Sequence, residues 1–558
     1  MSPRNLHTYE SLSDAIDKLS SHRRGFHFTS GDTTPSFIDY RQLRERVQSL
    51  ARKLSAEGGN RGEPAILLFA DQEGFVQGFL AVIRAGLVAV PVYPPYLTGN
   101  LDNYAAHVER VRQITGARLI LTSDALVGPL QPFFPDARLV ALSEIETARE
   151  QGELPQIRSS DLALIQFTSG STSLPKGVAI THCNLIANAT AIKQALELDP
   201  LRDRGVSWLP LHHDMGLIGF LVTPILNQIS NWFLQPLEFA RRPHRWLDLI
   251  DQTRATISYA PNFGYDLVSR RVREADVERW NLADWRVAGC GGEPILTRVL
   301  DKFADVLRPA GFDRTAFVPS YGLAEATLAV TMSPLRRGVV TRKLSGDEQS
   351  NKSLVSSGRL VAGTEVRIVS AAGRRLPEGV EGEIQVRGQG VAMGFWSETG
   401  FSNANCAEGW LKTGDMGVLS EGELHISGRI KEVVSINGCQ YYPHDIEECV
   451  QDLDGVRRGH VVAFGRPGGA SEQLVLVIEA KPSDDLPGLQ RRLRVRIRER
   501  LGLSVAEVII VGHGVISRTT SGKLRRRAMR ALYLTERKAS LFKAGMNSAD
   551  NTGAHIVF

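Results

Sequence analysis

Five hydroxyl-bearing residues, Thr168, Ser169, Ser171, Thr172 and Ser173, crowd around Gly170 in the stretch FTSGSTSLPKG, and Lys176 and Gly177 close it. Hydroxyls and backbone N–H groups gathered at the end of a buried strand form an anion site, and phosphate is the usual anion there. The lysine adds a compact cation on a flexible stem. The order is not that of a Walker A loop, GxxxxGK[ST], because here the lysine precedes its glycine. A dinucleotide GxGxxG fails as well, since GCGGEP at 289–294 breaks off at proline. On its own, such a loop is as often a solvated linker as a ligand site.

Further charged and polar groups follow in short motifs. YGLAEATL (321–328) carries Glu325, KTGDMG (412–417) carries Asp415, SGRIKEV (427–433) carries Arg429 and Lys431, and TTSGKLRRR (519–527) carries Lys523. SWLPLHHDMGLIGF (207–220) offers His212, His213 and Asp214. Adjacent histidines rarely point the same way, and neither HExxH nor a distant third ligand accompanies them, so His212 reads as a pocket lining rather than a metal ligand. Each motif alone has a plain reading: a turn aspartate, a core tyrosine, a solvated basic run. In this order, with GGEPI (291–295) and the hydroxyl loop, the seven segments resemble the core motifs of the adenylate-forming superfamily. Its members are acyl-CoA synthetases, peptide-synthetase adenylation domains and luciferases, and the likeness runs from about Ser36 to about Leu534.

The resemblance implies an enzyme that joins a carboxylic acid to the AMP part of ATP, releases pyrophosphate and passes the acyl group to a thiol. It implies ATP and AMP contacts from Thr168, Ser169, Gly170, Ser171, Thr172 and Lys176, then Gly291, Gly292, Glu293, Ser320, Tyr321, Gly322, Asp415 and Arg429. Tyr321 would stack on adenine, and Asp415 and Arg429 would meet the ribose hydroxyls. Glu325, with Thr168, would hold Mg²⁺, which takes carboxylate and phosphate oxygens. Lys523 would touch both the carboxylate and the α-phosphate, and His212 would line the carboxylate pocket. Lys431 would be a hinge about which a mobile small domain turns between adenylation and transfer.

WLPLHHDMGLIG, YGLAE, YYPHDIEE (441–448) and LVSSGRLVAGTEVRIV (354–369) are similar to the fatty acyl-AMP ligase branch. Asn437 and His212 depart from it, standing where relatives usually show arginine and tyrosine. The branch implies a fatty acid substrate and, as acceptor, the phosphopantetheine arm of an acyl carrier protein serving polyketide or peptide synthesis. It also implies an inserted segment that restrains the small domain; SPLRRGVVTRKLSGDEQSNK (333–352) occupies that place. The alternative is a fatty acyl-CoA synthetase. The arginine-rich stretch from Arg491 to Lys538 suits an acidic partner. A nucleic-acid module is the remote rival, because Leu489, Leu493, Ile497 and Leu501 make a core-facing stripe and no nucleic-acid motif accompanies them. A pseudoenzyme would lack Lys523 or Glu325, and both are present.

Positioning these groups needs a large α/β frame. EPAILLFA (63–70), LVAVPVY (87–93) and RLILTS (118–123) read as buried strands separated by amphipathic helices, the pattern of βαβ crossovers. DLALIQFT, GVSWLPL, TISYAP and WRVAGCGGEP continue it, with a helix from about Thr181 that Thr181 can cap. After about Leu354, TEVRIVS and GEIQVRG suggest a small antiparallel β subdomain. The expected fold is α/β: doubly wound parallel-sheet subdomains plus that β subdomain over 1–428, a hinge at 429–431, a small mobile α+β domain over 432–540 and a loose tail over 541–558. The 558 residues carry 42% hydrophobic and 23% charged side chains with a net charge of +5, a soluble globular balance. The N-terminal stretch shows no long apolar run, so no secretory signal is expected, and no apolar run is long enough for a membrane span. Five scattered cysteines without a CxxC pair fit a reduced, cytoplasmic protein. Chain length of the acid, carrier identity and oligomeric state are not encoded in any legible pattern.

Overall fold

The computed structural model describes residues 9–29, 35–56, 60–95, 101–149, 153–168, 176–343, 353–403, 408–436, 439–468, 471–481, 485–519 and 522–534. One sheet grows from near-continuous apolar runs. Pro64–Leu68, Val88–Pro91, Leu119–Thr122, Arg138–Ala141 and Leu162–Thr168 pair in parallel. Gln72–Arg84, buried mainly through apolar side chains but also through Gln72, Gln77 and Arg84, connects the first two. Parallel strands must be covered on both faces, so their residues are buried without alternation.

The hydroxyl loop does not lead straight into a helix. The chain doubles back as the strand Lys176–Thr181, antiparallel to Leu162–Thr168, with Thr168 opposite Lys176 and Phe167 opposite Gly177. A short apolar run such as GVAI fits a strand as well as a helix start, and periodicity alone does not separate them. Here Gly177 decides: a Cβ there would lie 2.5 Å from Ile165 Cγ2, so only glycine lets the two strands close. The helix His182–Ala195 then begins on a capping box, Thr181 and Asn184 each binding the other's backbone N–H.

Among the described residues, the second sheet has 14 strands. Its parallel half places Gly25–Thr29, Ser230–Leu234, Arg204–Ser207, Ile257–Ala260, Val287–Cys290 and Phe317–Gly322 side by side. Its antiparallel half continues through Ala329–Met332, Ser353–Leu360, Glu423–Arg429, Leu411–Ser420, Gly382–Gly388 and Thr364–Val369. The β subdomain is therefore not a separate sheet. Phe317–Gly322 is shared, parallel to one neighbour and antiparallel to the other, and this puts Tyr321 within reach of Asp415 and Arg429.

Beyond the 3₁₀ turn Ile430–Glu432, the strands Val456–Arg466, Gln473–Ala480 and Val505–Val511 form a three-stranded sheet. The helix Leu486–Leu501 packs Leu489, Leu493 and Ile497 on one of its faces, whereas Leu501 is only partly buried. The helix Arg526–Leu534 packs Met529 and Tyr533 on the other. Arg526 does not belong to an open basic face. It lies inside this small unit, with two hydrogen bonds of 2.7 Å to Glu447 and one of 3.0 Å to Glu432. Residues 535–558, including the expected tail, lie outside the described residues. Among those described, no helix is long and apolar enough to cross a membrane.

Candidate active site

A cavity of about 2200 Å³ opens where the shared strand, the segment 210–216 and the small C-terminal unit meet. Its upper part gathers most of the expected residues. Asp415 and Arg429 face each other as partners on adjacent antiparallel strands, and Arg429 Nε lies 3.0 Å from Asp415 Oδ1. Tyr321 donates its hydroxyl to Asp415 Oδ2 at 2.7 Å. Burial and the neighbouring carboxylate push the Tyr321 phenol well up, so it remains a donor. Burial also raises the Asp415 carboxyl, with Arg429 and Tyr321 opposing that rise. The outcome is an acceptor with one oxygen held by each partner and its remaining lone pairs turned toward the cavity.

Glu325 sits on the 3₁₀ turn Ala324–Ala326, at the tip of the hairpin between Phe317–Gly322 and Ala329–Met332. Thr327 closes that tip with φ +67° and ψ −57°, and Leu328 donates to the Ala326 carbonyl at 2.8 Å, a strained γ-turn. Burial raises the Glu325 carboxyl; Arg429 opposes this, while Asp214 and Asp415 add to it. Glu325 has no ion-pair partner among the described residues. Among the described residues no three carboxylate, imidazole or thiol groups cluster as metal ligands, so Glu325 fits a hard divalent ion only as a single protein carboxylate, with phosphate oxygens and water as the other ligands.

Lys523 arrives from the opposite side. Thr519 donates to the Lys523 carbonyl, and Gly522 to that of Thr519, at 2.8 and 2.9 Å, making a tight turn whose Gly522 has φ +84°. The turn rests on Phe263 and sets Lys523 over Gly292: a Cβ on Gly292 would be 3.9 Å from Lys523 Nζ. Gly291 packs so closely that a Cβ would lie 2.8 Å from the Ser320 carbonyl oxygen, and Gly322 cannot carry one beside Leu328. Glu293 points away from solvent and accepts from the Phe263 backbone N–H at 2.7 Å. Burial raises its carboxyl against the pull of Lys523, Arg518 and Arg526.

His212 lines the cavity with its Nε2 unpartnered among the described residues, while its carbonyl accepts from Gln166 at 2.8 Å. Burial and the adjacent His213 hold the imidazole well below its ordinary pKa, hence neutral. Burial and Lys523 depress His213 to about 3. Ser320 directs its hydroxyl toward the Val318 carbonyl and Tyr259, at 3.1 and 3.4 Å. Lys176 borders the cavity at the end of its strand, and Lys431 is exposed on the Ile430–Glu432 turn. Ser169, Gly170, Ser171 and Thr172 lie outside the described residues, as does the side chain of Thr168.

Two residues absent from the sequence reading hold this constellation. Asn188, on the helix after the hydroxyl loop, donates to the Ala326 and Ala329 carbonyls at 3.2 and 2.9 Å and accepts from Ala329 N–H at 3.0 Å. Asn184, one turn earlier, donates to the Gln389 and Val391 carbonyls at 2.7 and 2.9 Å, and Ala392 N–H returns to the Glu325 carbonyl at 2.9 Å. Asparagine four residues apart on one helix face was the available signal.

The AMP-binding enzyme family model matches residues 24–396. The chain belongs to that family. The medium-chain-fatty-acid–[acyl-carrier-protein] ligase JamA of Moorena producens is 32% identical, covering 96% of each chain. The 4-hydroxyphenylalkanoate adenylyltransferase of Mycobacterium marinum is 34% identical over 94% of this chain and 91% of its own. A solved structure from work on fatty acyl-adenylate ligases of E. coli and L. pneumophila superposes with a TM-score of 0.87 at 33% identity, covering 94% of this chain and 98% of its own. The family and this neighbour share the α/β architecture described above, and the protein is an acyl-adenylate-forming ligase of the fatty acyl-AMP ligase branch.

Proposed function

We propose that the protein activates a fatty acid with ATP and Mg²⁺, and then loads it on the phosphopantetheine thiol of an acyl carrier protein. The observation that carries this reading is Lys523 poised over Gly292, on the same cavity as Tyr321, Asp415 and Glu325. A carboxylate oxygen attacks the α-phosphorus, the bond to the bridging oxygen breaks, and pyrophosphate leaves. Lys523 neutralises charge shared between the carboxylate and the α-phosphate, where it grows in the transition state. Asp415 and Arg429 orient the ribose, Tyr321 flanks the adenine, and the hydroxyl loop with Lys176 takes the outer phosphates. Neutral His212 lines the carboxylate end without adding a competing charge. Glu325, with Thr168, would hold Mg²⁺, which supplies Lewis-acid neutralisation of the phosphate oxygens.

In the second step the carrier thiolate attacks the acyl carbon and AMP departs with the mixed-anhydride oxygen. Lys431 is the point about which residues 432–534 turn, withdrawing Lys523. The acyl-carrier-protein ligase named above supports a carrier as acceptor. The described half of the 333–352 segment pairs as Thr341–Lys343 with Ser353–Leu360 and bonds Arg342 to Glu421 and Arg337 to Glu423, all within the large domain. Residues 344–352 of that segment lie outside the described residues. The test is acyl-AMP formation from graded fatty acids, followed by a choice between free coenzyme A and a phosphopantetheinylated carrier. Acyl-AMP that persists with coenzyme A but discharges onto the carrier supports the proposal. Efficient acyl-CoA synthesis would make the chain a fatty acyl-CoA synthetase instead.

A further inference from the structure

The lower part of the cavity crosses the large sheet strand by strand, and its lining follows from register. Starting beneath the nucleotide end at Ser320, the same face carries Gly289, then Tyr259 and Ile257, then Gly205, then Asn231. Gly289 has no side chain because the Tyr259 ring lies across it, a Cβ there falling 2.0 Å from that ring. Tyr259 in turn reaches the Ser320 hydroxyl at 3.4 Å. Four strand spacings separate Ser320 from Asn231, about 19 Å. The roof includes Phe220, on a π-helical turn over Ile218–Val222, and Ile192 from the helix above. Such turns widen a helix locally and recur at functional sites. On the next strand, Phe26 stands beside Asn231, fully buried, and blocks the way further.

Beyond the Ser320 and Tyr259 hydroxyls the lining is mainly apolar, with Ile257, Gly205, Phe220 and Ile192, and the Thr223 hydroxyl is taken up by the Ile218 carbonyl. Asn231 is 0% exposed, lines the cavity, and neither its Oδ1 nor its Nδ2 has a hydrogen-bond partner among the described residues. Its amide lies over Gly205, whose Cβ would fall 2.2 Å from Asn231 Oδ1. Leaving a buried polar group unpaired is destabilising, and a valine or leucine would fill a strand position here without that cost. Both halves of the amide are open, so the side chain asks for a group that donates and accepts at once. A hydroxyl does both. A carbonyl would answer only Nδ2, and a methyl neither.

We infer that the acid activated here carries a hydroxyl at the end remote from its carboxylate, and that Asn231 binds that hydroxyl. The inference rests on the acid-activating reading above and deepens it. It makes Asn231 a specificity residue, about 19 Å from the strand that bears Ser320, with Gly205 keeping its amide in place.

Pyrophosphate release should be measured with saturated fatty acids of graded length, each paired with its terminally hydroxylated counterpart. For at least one length the hydroxylated acid should have a kcat/KM about tenfold or more above its parent, because a site built to pair a hydroxyl rejects the analogue lacking it. Asn231→Leu should remove that preference, lowering the ratio of hydroxylated to plain acid by about tenfold. Should that variant fold poorly, the wild-type ratio decides by itself, and Asn231→Ser should retain part of the preference. Plain acids preferred at every length, with the ratio unmoved by Asn231→Leu, would mean that a trapped water satisfies the amide, and would overturn the inference while leaving acid activation standing. Release with neither series would overturn both.

Discussion

Lys523 forms no ion pair among the described residues, although it stands where several carboxylates act on one another. An ammonium kept free in a cavity is most useful where negative charge accumulates during reaction rather than in the ground state. Lys523→Ala should therefore lower the rate of acyl-AMP formation on the order of 100-fold or more, with ATP affinity within a few-fold of wild type. Single-turnover formation of the adenylate and equilibrium ATP binding measure the two parts. Lys176→Ala should instead raise the ATP requirement. Glu325 gives a prediction with a definite sign. Its carboxyl is raised on folding, so the folded protein favours the protonated form; that stability is present below the ordinary glutamate range and is lost as pH rises through the raised value. Glu325→Gln should thus raise the melting temperature of the ligand-free protein at neutral pH and leave it unchanged in acid. In the wild type, the Mg²⁺ concentration needed for half-maximal rate should climb as pH falls through that same raised range.

Among elements, the helix His182–Ala195 links the hydroxyl loop side of the molecule to the Glu325 hairpin through Asn188. Asn188→Ala leaves the Ala326 and Ala329 backbone groups unpaired in a buried setting, which costs about 2 kcal/mol or more. It should also loosen the γ-turn at Thr327, so the Mg²⁺ requirement rises more than the ATP requirement. A purely structural role would lower the melting temperature and leave the metal titration alone. How much of this was legible depends on the element. The parallel strands read from runs such as PAILL because each is short and alternates with a longer amphipathic stretch, the βαβ pattern. The helix start at about Thr181 was visible in THCN, and the helix begins at His182. The strand Lys176–Thr181 was not, because its apolar run is short and its pairing depends on Gly177, a contact between strands. Tyr321, Asp415 and Arg429 lie far apart in sequence; the motif order brought them into one list, but only the shared strand Phe317–Gly322 puts Tyr321 and Asp415 at hydrogen-bond distance. Asn188 had only its i, i+4 spacing from Asn184 as a signal, and Asn231 carries no motif at all. Their importance lies in what their amides face, which spacing does not encode.

For the whole molecule, the small unit and the large one meet around Lys523, and Arg298 bonds Glu448 at 2.5 Å across the same junction. The arginines of the terminal region divide into two classes. Arg526 is inside, paired with Glu447 and Glu432, and its removal breaks a buried ion pair, which costs about 3–5 kcal/mol. Arg526→Ala should therefore lower the stability of the small domain and impair both half-reactions. Arg491, Arg494 and Arg498 are exposed on the helix Leu486–Leu501. Replacing these three by glutamine should weaken carrier loading, most strongly at low salt, while adenylate formation is unaffected. The central claim concerns the first half-reaction, and its most direct test is a single measurement. Purified protein is incubated with Mg²⁺, ATP and fatty acids from short to long chain, and pyrophosphate and acyl-AMP are quantified together. The account predicts that the two products appear in equal amounts, only when acid and Mg²⁺ are both present. No acyl-AMP from any acid, or pyrophosphate released without it, would contradict the account.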